Sequence, residues 1–225
     1  MSYILCIDTA TEIGLVGLVK NGALLAQRVN HEQQTHASFL QPAIADILKQ
    51  ENISLKELCA VAVSNGPGSY TGLRVGLAAA KGLCFALQIP LITLSTLQLM
   101  ATAMQLQQPT ATLFCPMIDA RRMEVFAGLY NAQLQSVLPD TAVLLTPEWL
   151  QQERASSAIC FAGSGAAKWV QLISSTDEIV LSTDSLLQAF ARISTQIFQQ
   201  EHFADVAYAE PFYCKAFYQP VRTVV

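Results

Sequence analysis

The chain of 225 residues is 52% hydrophobic and only 13% charged, about half the charged fraction of an average soluble protein. That balance excludes disorder and calls for a large buried core or an apolar surface kept for a partner. Thirteen basic against seventeen acidic residues give net −4, which argues against a chain that grips nucleic acid through its own surface.

Residues 3–7 read as a short apolar strand. Asn21-Gly22 accepts positive φ readily, so residues 14–20 and 23–29 become the arms of a hairpin. Over 35–50 the period turns helical, with Ala37, Leu40, Ile44 and Ile47 on one stripe and Leu48 widening it. Pro42 inside that stretch predicts a late start or a kink. Residues 59–63 form a buried strand, and the turn Asn65-Gly66-Pro67-Gly68-Ser69-Tyr70-Thr71-Gly72 follows. A helix over 73–87, a short strand over 91–93 and a Ser-capped helix over 95–105 complete the half.

The second half repeats that programme. Strands are predicted over 113–118, 124–130 and within 136–145, the last interrupted at Pro139-Asp140. A short helix opens with Pro147 at its first turn and runs to residue 152. A strand over 158–161 ends in Gly163-Ser164-Gly165, and residues 166–173 and 185–200 are helical. Ile7-Asp8 is matched by Ile118-Asp119, and Gly17-Leu18 by Gly128-Leu129. The order describes a duplicated α/β unit, βββαβα, with lobes at 1–104 and 105–225. Two such lobes resemble the architecture of the actin, sugar-kinase and Hsp70 (ASKHA) superfamily. The tail over 205–225 is aromatic-rich and is expected to cross back to the first lobe.

No apolar run reaches the ~20 residues that span a bilayer, and the N-terminus lacks a basic leader segment. Six scattered cysteines without CxxC spacing read as small buried hydrophobes of a reducing cytosol. A cytoplasmic location is the expectation.

Asp8 and Thr9 close the first strand where an acid and a hydroxyl could stand near a nucleotide, though both also suit bonds to the turn's own backbone. Ala10 weakens a phosphate reading, because backbone must approach oxygen closely there and glycine is the usual residue. Asn65, Gly66, Gly68, Ser69 and Thr71 have two readings. A strand, a glycine turn and a helix start make an anion cradle; a tight, well-capped crossover needs the same glycines. Arg74 is badly placed for the helix dipole, which predicts an acidic partner elsewhere. Gly72, Gly76 and Ala80 recur every four residues, so one helix face is nearly bare backbone. It serves either packing within the lobe or a helix of a second chain. Asp119-Ala120-Arg121-Arg122-Met123-Glu124 reads as a solvated ion-pair cluster more than an acid-and-base site. His31, His36 and His202 make no metal pair, and no nucleophile set is evident. A small-molecule kinase or ATPase of the superfamily is the rival reading, with Gly163-Ser164-Gly165 its one candidate for adenosine.

Ile7-Asp8-Thr9-Ala10-Thr11, His36 with Leu40 and Pro42, NGPGSYTGLRVG over 65–76, and Ala80-Lys81-Gly82-Leu83 resemble the TsaB (YeaZ) family. Ile118-Asp119-Ala120-Arg121-Arg122, Val125 and Tyr130 fit its second lobe. Glu210-Pro211-Phe212-Tyr213-Cys214-Lys215 resembles its closing element, with Lys215 in place of the usual arginine. The resemblance implies a non-catalytic bacterial accessory protein for threonylcarbamoylation of the adenosine beside the anticodon in ANN-decoding tRNAs. It implies pairing with the catalytic paralogue TsaD through a helix bundle, joined by the ATPase TsaE, with TsaC-type synthases supplying threonylcarbamoyl-adenylate. ATP and metal are then expected on the partners, and tRNA contact only through the complex. The paralogue's HxxxH metal pair is absent from this sequence. The resemblance carries His36, Leu40, Ile44, Gly72, Gly76 and Ala80 forward as partner contacts, shared by a homodimer when the chain is alone.

Overall fold

Asn21 and Gly22 both adopt positive φ, 51° and 86°, and turn Gly14–Lys20 (β2) back onto Ala23–Asn30 (β3). The Asn-Gly pair predicts this turn because both residues enter the left-handed region at little cost. Tyr3–Asp8 (β1) lies antiparallel to β2, with Cys6 opposite Gly17. On its other side β1 runs parallel to Leu58–Ser64 (β4), and β4 parallel to Leu91–Leu94 (β5), giving the order β3-β2-β1-β4-β5. The computed structural model describes residues 2–174 and 178–215.

His36–Gln50 (α1) and Tyr70–Leu87 (α2) cover one face of this sheet. The late start expected at Pro42 does not occur. Pro42 sits on the exposed side of α1, where a carbonyl robbed of its N–H partner faces water,. Helix α2 begins earlier than residue 73 because Ser69 caps it, accepting from the Gly72 N–H at 3.3 Å,. Thr96–Gln107 (α3) is capped by Ser95 in the same way.

The second half is built from Leu113–Asp119 (β6), Glu124–Asn131 (β7), Ser136–Leu144 (β8), Gln151–Ser156 (α4), Ile159–Ala162 (β9), Ala166–Ile173 (α5), Glu178–Ile179 (β10) and Thr183–Gln199 (α6). Its sheet runs β8-β7-β6-β9-β10, with parallel and antiparallel pairs in the same places as in the first. The duplication therefore extends past βββαβα to βββαβαβα. Two sequence expectations change here. Strand β8, an edge strand, runs on through Pro139, and the interruption expected there takes the form of a register shift in its ladder to β7, where Ala127 pairs with Thr141 and Leu129 with Leu138,. The short helix starts at Gln151 rather than Pro147, since Leu150 takes a left-handed φ of 58°. Strand β10, two residues long, is too short for any periodic signal.

Helices α3 and α6 pack on each other between the sheets, and each also covers the other half's strands. Helix α3 lies on β6, β7 and β9, while α6 lies on β1, β2, β3 and β5. Leu97, Met104, Phe114, Leu187 and Phe190 join in that central core, each contributing about 1.5–3 kcal/mol by burial. A division at residue 104 cuts α3 before its end at Gln107. A further cluster under the second sheet centres on fully buried Trp169, with Trp149 edge-on at 4.9 Å. All six cysteines are free, and burial pushes the Cys6 thiol up to about 12, the mark of an inert side chain,. Among the described residues no helix is long and apolar enough to cross a membrane.

After α6 the chain returns to the first lobe. The Ala204 N–H donates to the Leu91 carbonyl at 2.8 Å, and the Phe212 N–H to the Asn65 carbonyl at 2.7 Å. Lys81 Nζ holds the carbonyls of Ala207 and Ala209 at 3.1 and 2.9 Å. Lys215 then reaches Glu124 of the second lobe at 2.6 Å. The rest of the expected tail, 216–225, lies outside the described residues.

Candidate functional site

The end of β1 and the start of α2 meet at the point where an anion cradle is expected. Ser69 donates its N–H to the Ala10 carbonyl at 2.7 Å, and Thr9 Oγ1 donates to the Gly72 carbonyl at 2.7 Å. A Cβ at Gly68 would collide with the Ala10 carbonyl oxygen, and one at Gly72 with that of Thr9. The glycines therefore admit the chain's own backbone. The Ser69 N–H, a donor that a cradle would offer to an anion, is spent on the Ala10 carbonyl,. Asn65 and Gly66 serve the tail: Asn65 Nδ2 donates to the Glu210 carbonyl at 2.9 Å, and a Cβ at Gly66, where φ is 120°, would strike the Phe212 carbonyl. Of the cradle positions, Gly68, Ser69 and Thr71 join Glu12, Asp119, Arg121 and Ser164 in lining the cleft of about 580 Å³ between the lobes.

Asp8 is 3% exposed. Its Oδ1 accepts from Ser64 Oγ and, at 2.9 Å, from the Ala10 N–H. Burial pushes its carboxyl above the usual carboxylate range, against the lowering pull of those two bonds and of His36,. For an acid raised in this way the folded chain is penalised as the group ionises. The penalty grows as pH climbs from 3.8, the ordinary value, and is complete above the raised one. Asp8→Asn, which keeps an acceptor at Oδ1, is expected to melt higher than the parent at about pH 8, the gap closing toward about pH 4. Thermal scans across that range check this; a variant that melts lower at the alkaline end refutes it.

The corresponding corner of the second lobe is tied differently. Asp119 is exposed and pairs with Lys168 at 2.6 Å, and Lys168 also donates to the Arg122 carbonyl at 2.8 Å. Arg121 and Arg122 are absent from that ion pair, against the expectation of a cluster; both sit at positive φ in the β6–β7 turn. Gly163, φ 102°, lets β9 turn against the Met117 carbonyl, and Ser164 Oγ accepts from the Asp119 N–H at 3.1 Å. Among the described residues no three His, Cys, Asp or Glu side chains gather to hold a metal.

The six positions carried forward as partner contacts are all interior. Leu40 and Ile44 pack under α1 at 1% and 3% exposure. His36 is buried too: Nε2 stands 3.0 Å from the Thr11 carbonyl and Nδ1 3.0 Å from Asn30 Nδ2. Gly72, Gly76 and Ala80 face the sheet, where a Cβ on Gly76 would lie 2.5 Å from Thr9 Oγ1. The bare stripe thus serves packing within the lobe. The outward faces are Ala37, Gln41 and Ala45 on α1, and Arg74, Ala78, Gly82 and Phe85 on α2. A Cβ on Gly82 meets nothing within 4 Å, and Phe85 is 73% exposed.

A family model described as TsaD: tRNA N6-adenosine threonylcarbamoyltransferase matches residues 23–209. The tRNA threonylcarbamoyladenosine biosynthesis protein TsaB of Escherichia coli (strain K12) is 31% identical over 219 residues, 94% of either chain. The Bacillus subtilis (strain 168) protein of that name is 31% identical over 193 residues, 84% of this chain and 81% of its own. The solved structure of YeaZ from Pseudomonas aeruginosa matches with a TM-score of 0.74 at 26% identity, over 95% of this chain and all of that one. This chain belongs to the TsaB (YeaZ) family. Its fold is that of the ASKHA group, shared at a TM-score of 0.51 and 9% identity with the ADPNP-bound activator of 2-hydroxyisocaproyl-CoA dehydratase from Clostridium difficile.

Within this TsaB-family chain, sequence patterning missed a cluster beside the outward face of α2. The guanidinium of Arg74 lies 3.9 Å over the Tyr70 ring, and its Nε donates to Tyr213 Oη at 3.1 Å. Among the described residues, the carboxylate expected for Arg74 is not one of its partners. Spacing of four between Tyr70 and Arg74 is a helix-neighbour signal; nothing in sequence announces Tyr213, which arrives from the tail.

Proposed function

We propose that this chain is a non-catalytic accessory subunit in forming N6-threonylcarbamoyladenosine on tRNAs that read ANN codons. It pairs with a TsaD-type paralogue that carries the chemistry, and a TsaE-type ATPase joins the pair. ATP and metal bind on those partners, and tRNA is met only through the complex, in the cytoplasm. The names of the relatives support the biosynthetic role. The observation that supports the accessory role is the internally bonded turn: the Ala10 carbonyl takes the Ser69 N–H, and the glycines at 68 and 72 admit the chain's own backbone. The net charge of −4 suits a subunit that leaves the polyanion to others. Docking uses the outward faces of α1 and α2, whose small side chains let another helix approach closely. An isolated copy covers the same surface with a second copy, so homodimer and heterodimer compete.

Reconstitution tests the reading. With TsaD-type, TsaE-type and TsaC-type proteins present, omitting this chain is expected to lower tRNA modification more than tenfold, and the chain alone gives none. Titration calorimetry with ATP and magnesium is expected to show no stoichiometric binding to the isolated chain. One-to-one binding there would favour the kinase or ATPase alternative, for which the interlobe cleft is the available room.

A further inference from the structure

We propose that Arg74 is a preset receptor for a carboxylate carried by the chain that docks on α2, an inference that rests on the docking reading above. Arg74 is the fifth residue of α2, near the positive end of the helix, where the dipole gives a cation no support. Its side chain is nevertheless held in one orientation. The guanidinium carbon lies over Tyr70, 3.9 Å from the ring centroid, and Nε donates to Tyr213 Oη at 3.1 Å. The two rings are 5.5 Å apart. Tyr213 is delivered by a tail that Asn65 and Lys81 fasten to the lobe.

Among the described residues the end of the fork is left open. No described residue bonds Nη1 or Nη2 of Arg74, and no described carboxylate forms an ion pair with it. Those two nitrogens are the pair that accepts a carboxylate in bidentate fashion. Because stacking has already restricted the side chain, binding loses little further rotamer freedom. Arg and Tyr in this relation are the residue types that dominate contact energies between proteins.

The surroundings favour a protein carboxylate over an RNA phosphate. Ala78, Gly82 and Phe85 beside Arg74 are uncharged, and Lys81 is turned to the tail's carbonyls. A polyanion is held by several cations acting together, whereas one fork at the edge of a flat apolar face fits a helix bearing a single Asp or Glu.

The test is titration calorimetry of the full chain and its variants against the purified TsaD-type paralogue, at low and high salt, with melting curves as the check on folding. Arg74→Glu is expected to weaken binding at least thirtyfold and Arg74→Gln about tenfold. Arg74→Lys is expected to restore part of the loss, since an ammonium lacks the fork. Tyr213→Phe, which releases Nε, should weaken binding severalfold, and the parent's loss of affinity with salt should shrink in Arg74→Gln. Gly82→Leu reports on the docking face itself. If Arg74→Glu binds within twofold of the parent while Gly82→Leu abolishes binding, the carboxylate proposal is overturned and the docking face stands. If Gly82→Leu binds like the parent, the face is wrong and the proposal falls with it. Unchanged partner affinity in Arg74→Glu with weakened tRNA retention by the complex assigns Arg74 to a phosphate and overturns the proposal too.

Discussion

Gly72→Ala is expected to destabilise the chain by about 3 kcal/mol, lowering the melting temperature by roughly 6–12 °C. The added Cβ would overlap the Thr9 carbonyl oxygen. That oxygen belongs to backbone at the end of β1, and the Thr9 hydroxyl is itself bonded to the Gly72 carbonyl. Two stretches of main chain would have to separate, which costs more than the turning of a side chain. Gly82→Ala, in the same helix, supplies the contrast. Its Cβ enters open space, so the gain in helix propensity, up to about 1 kcal/mol, should appear as a slight rise in melting temperature. Calorimetric melts of the two variants side by side decide the point. A Gly72→Ala protein melting with the parent would mean that β1 and α2 are not in the close contact described.

Phe85→Asp combined with Gly82→Leu is expected to leave the melting temperature within about 2 °C of the parent and to reduce partner affinity about a hundredfold. Both positions lie on the outward face of α2, Phe85 at 73% exposure. Leucine at 82 holds an approaching helix away, and an aspartate at 85 would be buried without a partner in any complex, a loss of several kcal/mol. Threonylcarbamoyladenosine formed in the reconstituted mixture should fall more than tenfold, and self-association seen by sedimentation should fall with it. Substitution on the inward stripe behaves otherwise. Gly76→Leu and Ala80→Glu push a side chain into the sheet, Ala80 being fully buried, and are expected to fail by unfolding. Normal assembly by the doubly substituted protein would remove this face from consideration.

Most of the fold is legible in local chemistry. Asn21-Gly22 announces its hairpin because few other pairs enter the left-handed region cheaply,. Ser69 and Ser95 announce helix starts because their hydroxyls satisfy free N–H groups,. The repeat of the two halves shows as element order, and the sheets bear it out strand for strand. Less legible is where each half ends. Helices α3 and α6 cover each other's sheets, and an apolar stripe says only that a helix is buried, not under which sheet.

The candidate site divides in the same way. The turn over 65–72 reads equally well as a phosphate cradle or a tight crossover, since either needs backbone without Cβ. The Thr9 and Ala10 carbonyls favour the crossover, and they come from the turn after β1, 63 positions from Gly72 in the case of Thr9. Helix α2 carries small residues on both sides, Gly72, Gly76 and Ala80 on one and Ala78 and Gly82 on the other. Periodicity separates the two sides without saying which meets the sheet.

From sequence alone, then, a half-hydrophobic, sparsely charged chain determines two α/β lobes, their strands and caps, and kinship with the TsaB family. Those properties are set by neighbours within a few residues of one another, or by motifs read in order. Tertiary structure alone decides that the glycines at 68 and 72 admit the chain's own carbonyls, that the conspicuous glycine stripe is internal, and that Arg74 is exposed between Tyr70 and a tyrosine 139 positions later. Each depends on atoms far apart in the chain meeting at van der Waals or hydrogen-bond distance, and local spacing holds no record of such meetings.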